Sequence, residues 1–218
     1  TASGMAAVTA ALLGFLKTGD HIIAGDQLYG RSLRLLKEDL PRLGIEVTLS
    51  DTTSANNVLA AVRTNTKMVL LEAVSNPTLR VADVKDIANS IKGKGIKLVI
   101  DNTFTTPLSL KPAELGADII VHSVTKLKAG HSDVTLGYSW ARDAETSKAI
   151  YVFCVTTGMT PSPFDCWLAE RGLLTFPLRF QKTQENAVLL ADALSSHSNI
   201  LRVLLSLIHI SEPTRLTS

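Results

Sequence analysis

The stretch Val121-His-Ser-Val-Thr-Lys126 decides how this chain is read. It begins where the apolar run Asp118-Ile-Ile-Val121 ends, and such a run has the length and composition of a buried strand. It closes, past a hydroxyl-rich turn, on a lysine. Upstream, Lys97-Leu-Val-Ile100 reads as a second buried strand, and it ends in an acid, Asp101. The same alternation continues outward. Strands are expected at residues 21–24, 45–49, 67–71 and 134–140. Helices are expected at 5–16, ended by Gly19, at 31–40, closed by Pro41, and at 56–62. A further helix should start at a cap on Asp83, with Asp86 three residues on, and run to about Lys92. Apolar strands without polar alternation, joined by helices, imply an α/β fold with a mostly parallel sheet in three α/β/α layers. From about residue 143 helical segments take over, at 144–153, 164–171 and 178–194.

Ligands of such sheets sit beyond the carboxyl ends of the strands, where Asp101 and Lys126 both fall. A lysine past one strand and a carboxylate closing another are what a pyridoxal-phosphate (PLP) site requires. The amine holds the aldehyde, the acid faces the pyridinium nitrogen, and nearby hydroxyls face the phosphate. Ser123 and Thr125 flank Val124 and share a side if the turn is extended. Gly4 and Met5 open the first helix, where unpaired N–H groups and the helix dipole favour a phosphate dianion.

Composition narrows the classes. The chain has 218 residues, 45% of them hydrophobic, enough for one sizeable core. Its 22 basic and 20 acidic side chains give a formal charge of +2, and the basic residues are scattered, so nothing argues for a nucleic-acid partner. No apolar run is long enough to cross a membrane. The two cysteines form no disulfide framework and suit a reducing compartment. The cytoplasm is the default location, with a plastid as the alternative. No His or Cys pair has metal-ligand spacing, so no metal is expected.

The residues already quoted sit in an ordered series: Ser3-Gly-Met-Ala-Ala7, Gly25-Asp-Gln-Leu-Tyr-Gly30, Ser75-Asn-Pro-Thr78, Asp101-Asn-Thr-Phe104, the stretch from Glu114 to Lys126, Gly130-His-Ser-Asp133, Ser162-Pro-Phe-Asp-Cys-Trp-Leu168, Arg171-Gly-Leu173 and Gln184-Glu-Asn-Ala187. This series resembles the Cys/Met-metabolism (trans-sulfuration) family of PLP enzymes, from residue 1 to about 204. The resemblance implies an aspartate-aminotransferase-like, fold type I major domain over 1–175. A linking helix and the start of a C-terminal domain would follow at 176–204. It implies PLP as cofactor, a sulfur amino acid as substrate, and a homodimer or homotetramer for the full-length parent. By the same resemblance Lys126 is the PLP lysine and Asp101 the ring-nitrogen acid. Gly4, Met5, Ser123 and Thr125 hold the phosphate, Tyr29 stacks on the ring, and Asn76 bonds its phenolic oxygen. Lys126 and Tyr29 carry the catalytic roles.

Each of these residues also has a plainer reading. Asp101 could cap a turn, Tyr29 could be core, Asn76-Pro77 could be a turn, and Ser3 could simply cap a helix. His122 reads as a satisfied structural residue and His131 as a loop-fixing one. Leu127 stands where the family usually has an aromatic residue. Arg31 stands where methionine lyases typically carry Cys, which argues against that subtype. The favoured activity is a carbon–sulfur lyase acting on cystathionine or a related thioether. The alternative is a cystathionine γ-synthase or sulfhydrylase on the same scaffold, and a degenerate, non-catalytic PLP-fold protein is the reading from another class. The chain is expected to be a partial one, lacking an N-terminal arm and most of a C-terminal domain. Residues 205–218 read as the translation of a sequencing adapter.

Overall fold

A computed structural model describes residues 1–205. The strands are β1 (His21–Gly25), β2 (Glu46–Ser50), β3 (Thr66–Glu72), β4 (Lys97–Asp101), β5 (Ile119–Ser123) and β6 (Gly137–Ala141). The helices are α1 (Gly4–Leu13), α2 (Gly30–Arg34), α3 (Leu40–Arg42), α4 (Ala55–Ala60), α5 (Val84–Ile91), α6 (Thr106–Ser109), α7 (Ala144–Thr156), α8 (Pro163–Leu173) and α9 (Phe176–Ser195).

The strands form one six-stranded sheet in the order β2-β1-β3-β4-β5-β6. Neighbours from β2 to β5 pair in parallel, and β6 pairs antiparallel to β5. Successive strand residues point to opposite faces. On one side Ile22, Ala24, Met68, Leu70, Val99, Ile119 and Val121 therefore join a core with Ala7, Ala10, Ala11 and Leu12 of α1 and Ile150 of α7. On the other, Ile23, Val69, Leu71, Leu98, Ile100 and Ile120 pack with Val84, Ile87 and Ile91 of α5. The fold is thus three-layered α/β/α with a mostly parallel sheet. A smaller cluster of Val124, Ala129, Val134, Leu136 and Ala169 packs beneath the turn after β5.

Several local expectations need correction. The helix after Gly30 does not stop at Pro41. Proline has no N–H to give the preceding turn, and its ring crowds the carbonyl there. The ladder widens into a π segment, Leu35–Asp39, in which the Leu40 N–H reaches the Leu35 carbonyl, and Pro41 then sits in the first turn of α3. Asp83 precedes α5 without a side-chain cap; its backbone, at φ −81 and ψ 63, is not in the extended conformation of a capping residue, and its N–H donates to the Thr52 carbonyl at 2.9 Å. Helix α1 ends at Leu13, and α6 was not anticipated. The last strand is β6, Gly137–Ala141, shorter than the expected run from 134. Among the described residues no helix is long and apolar enough to cross a membrane. The expectation for residues 206–218 lies outside the described residues.

Candidate active site

The parallel strands β3, β4 and β5 present their carboxyl ends to one cavity of about 450 Å³, and the loop after β1 brings Tyr29 to it. The strand order reverses between β1 and β3, and ligands of open α/β sheets bind at such a switch point. Gly4, Met5, Tyr29, Asn76, Asp101, Ser123, Thr125 and Lys126 all line this cavity. The structure therefore gathers every site residue expected from sequence. It adds Ser3, Glu72, Thr103 and Phe104, which the sequence reading did not assign.

Helix α1 supplies one wall. Ser3 caps it, its hydroxyl accepting the Ala6 N–H at 3.0 Å, and the first α-helical bond runs from Ala7 to the Ser3 carbonyl. The N–H groups of Gly4 and Met5 precede that bond and lie at the cavity wall, beside the end of β5. Gly4 is required there, because a Cβ would come within 2.6 Å of Ser123 Cβ. The plain reading of Ser3 as a cap is correct, and the cap leaves the Gly4 and Met5 positions at the cavity.

The turn after β5 is not extended. The Val124 and Thr125 N–H groups both bond the Leu136 carbonyl, at 2.9 and 3.3 Å. Thr125 Oγ1 accepts the Leu136 N–H at 3.0 Å and donates back to the Leu136 carbonyl at 3.3 Å, while still bordering the cavity. Lys126 follows, exposed at the cavity mouth, and its carbonyl accepts the Gly130 N–H at 2.9 Å.

Asp101 closes β4 and is enclosed by protein except toward the cavity. Its Oδ1 accepts the Thr103 N–H at 2.9 Å, so it both holds a turn and lines the site. Burial pushes its carboxyl up from the usual range, against the hydrogen bonds from Thr103. The Thr103 hydroxyl also accepts the Ser123 N–H at 2.7 Å, which ties the acid of β4 to the end of β5.

Glu72 closes β3 directly opposite Asp101 in the sheet register. It could have been found, because Met68-Val-Leu-Leu-Glu72 repeats the pattern of an apolar strand ending in an acid. Its Oε1 accepts the Tyr29 N–H at 2.7 Å and so holds the residue that begins α2. Burial raises its pKa to about 7, helped by the neighbouring Asp101 carboxylate and opposed by backbone hydrogen bonds from Tyr29 and Asn76. The folded value is thus above the unfolded one. The associated stability is fully present below about pH 4.5 and is lost as pH rises through 7. Unfolding of cofactor-free wild type and Glu72→Gln should show this directly. The difference between them should shift in the variant's favour by up to about 3 kcal/mol across that window. A difference that stays flat with pH would rule out a titrating Glu72.

His21, His122 and His131 do not line this cavity. His122 is buried on β5 against the Tyr138 ring, and burial, reinforced by Lys128, lowers its pKa to about 3. His131 Nδ1 lies 2.7 Å from the Ala129 carbonyl and fastens its loop, as expected. His21, which gave no sequence signal, is buried between the hydroxyls of Thr66 and Thr48. Among the described residues no group of three or more His, Cys, Asp or Glu could hold a metal ion.

The donor set fits PLP. The start of α1 kept open by Gly4 suits a phosphate, a carboxyl with raised pKa lacks a countercharge, and an amine stands at the mouth. A model of the Cys/Met metabolism PLP-dependent enzyme family matches residues 1–212. The chain belongs to that family. PLP is its cofactor. The match runs through residue 212, into the stretch read as foreign, and gives the adapter reading no support. A chloroplastic cystathionine β-lyase of Arabidopsis thaliana is 41% identical over 92% of this chain and 43% of its own length. A cystathionine γ-synthase of Mycobacterium leprae is 38% identical over 93% and 52%. The crystal structure of metB from Corynebacterium glutamicum superposes with a TM-score of 0.88 at 38% identity, covering 90% of this chain and 51% of that one. The chain thus spans about half the length of the relatives it matches.

Proposed function

We propose that the protein containing this chain makes or breaks a carbon–sulfur bond in a sulfur amino acid, using PLP held at this cavity. The observation that supports this most is the placing of Asp101, Lys126 and the start of α1 around one cavity, at the carboxyl ends of parallel strands. When bound, PLP supplies a sink for the negative charge that develops at the substrate Cα. In this proposal the Gly4 and Met5 N–H groups and the Ser123 hydroxyl hold the phosphate. Thr125 contributes a hydroxyl already tied to Leu136. Asp101 keeps a proton on the ring nitrogen. Tyr29 would stack on the ring, and Asn76 would hydrogen-bond its phenolic oxygen, both from the cavity wall. Lys126 would hold the aldehyde group, and its amine is the group that would move the proton at the substrate Cα.

Two reactions share these parts. Elimination expels a thiol and ends in a keto acid and ammonia, which is the favoured reading of the sequence. Replacement joins a thiol to an activated homoserine, as in cystathionine γ-synthases. Relatives bearing lyase and synthase names align over similar shares of this chain at similar identity. We therefore place γ-replacement beside elimination rather than below it. Parallel assays decide between them, one for thiol and ammonia from cystathionine and one for condensation of cysteine with an activated homoserine. Replacement predicts the second product in excess. Release of thiol and ammonia without condensation would restore the lyase, and neither product would end the carbon–sulfur proposal. A homodimer or homotetramer remains our proposal for the whole protein, to be read by light scattering.

A further inference from the structure

We infer that Arg179 is a positioning residue for Lys126, holding the turn that carries the lysine through the backbone carbonyls that follow it. The inference rests on Lys126 being the PLP lysine. Arg179 lies on α9, one turn after Thr175. Its Nη1 donates to the Leu127 carbonyl at 2.6 Å. Its Nη2 donates to the carbonyls of Lys128 at 2.9 Å and Gly172 at 2.9 Å, with Ala129 further off at 3.5 Å. Its Nε donates to Thr175 Oγ1 at 3.1 Å. The guanidinium is thus occupied almost entirely by main-chain oxygens, and those of residues 127–129 come directly after Lys126.

The packing around this contact is made for it. Gly130 sits at φ +79, and a Cβ there would fall on the Arg179 guanidinium. A Cβ on Gly172 of α8 would fall on the Ala129 backbone. Two glycines therefore let α8 and α9 close onto the turn. The guanidinium carbon also stands 6.0 Å from the centre of the Phe176 ring. Arg179 borders the groove beside Lys126, where a substrate carboxylate could be imagined as its partner. Its donors are committed to the backbone instead. A lysine could not replace it, because one ammonium cannot span carbonyls that a planar fork reaches together. Without the fork, the carbonyls of 127–129 would lose their shared donor, and the turn would hold Lys126 less closely to the strand end.

The test uses Arg179→Met, which keeps an apolar stem and removes the donors, and Arg179→Lys. Cofactor-free protein is mixed with PLP and quenched with borohydride at intervals, and the pyridoxyl peptide is mapped. The rate at which Lys126 becomes labelled should fall on the order of tenfold in both variants. Hydrogen exchange of the Ala129 and Gly130 amides in cofactor-free protein should quicken by about tenfold or more, with the sheet amides unchanged. Wild-type labelling together with wild-type exchange in either folded variant would overturn the inference. So would exchange that rises evenly over the domain, since that marks a general loss of stability. If Arg179→Met does not fold, Arg179→Lys gives the same readings. A pyridoxyl group found elsewhere in the wild type would instead remove the Lys126 assignment, leaving the exchange arm to judge Arg179.

Discussion

Replacing Lys126 by alanine should bring turnover down to background in the protein containing this chain, a loss of at least about four decades or roughly 5 kcal/mol of barrier. The amine stands at the mouth of a cavity whose other walls hold an acid and the start of α1. On our reading it serves twice, carrying the aldehyde and moving the Cα proton, so one substitution removes both roles. PLP should still associate, because Gly4, Met5 and Ser123 remain. Borohydride should then fix no pyridoxyl group to the protein, whereas in the wild type it should fix one on residue 126. Retained turnover in Lys126→Ala, or a label elsewhere in the wild type, would end the assignment.

Asp101→Ala carries the second large effect. Burial already pushes this carboxyl up, so its ionised form lacks compensation until a positive group meets it. A protonated ring nitrogen is such a group. Without Asp101 the nitrogen loses its countercharge, and negative charge at Cα is less well accepted. The rate should fall by two or more decades, about 3 kcal/mol, while Asp101→Glu, keeping the charge at a longer reach, should lose less. Near-normal turnover in Asp101→Ala would refute the role. The Thr103 hydroxyl bonds Asp101 and accepts the Ser123 N–H, so Thr103→Val, which keeps the backbone N–H but removes the hydroxyl, should mimic part of the loss.

How much of this was legible depends on the range of the interaction. The apolar runs before Asp101 and Lys126 announce buried strands, since burial on both faces leaves no alternation, and β4 and β5 lie where expected. Ser3 and Gly4 are local in the same sense, a cap and a helix start. Glu72 escaped although its strand ends as β4 does, because only the sheet register sets it opposite Asp101. The antiparallel direction of β6 depends on how the chain turns after Lys126, and no periodicity records that. Pro41 misled because its effect was absorbed by a wider helical turn rather than a break. Arg179 gave no signal at all, since its partners are main-chain carbonyls that every sequence has.

The close approach of Gly4 to Ser123 also bears on the order in which the domain is made. The two halves of the proposed phosphate cradle are far apart along the chain, and the strands between them are joined by parallel, non-local pairings. Such contacts form only after the intervening loops have closed, and that closure entropy slows the search. On the proposed site, a partly folded chain would have no cradle, so PLP is expected to bind the finished domain rather than its precursors. By mass action the cofactor would then favour the folded domain, and PLP uptake during refolding should lag behind formation of the sheet.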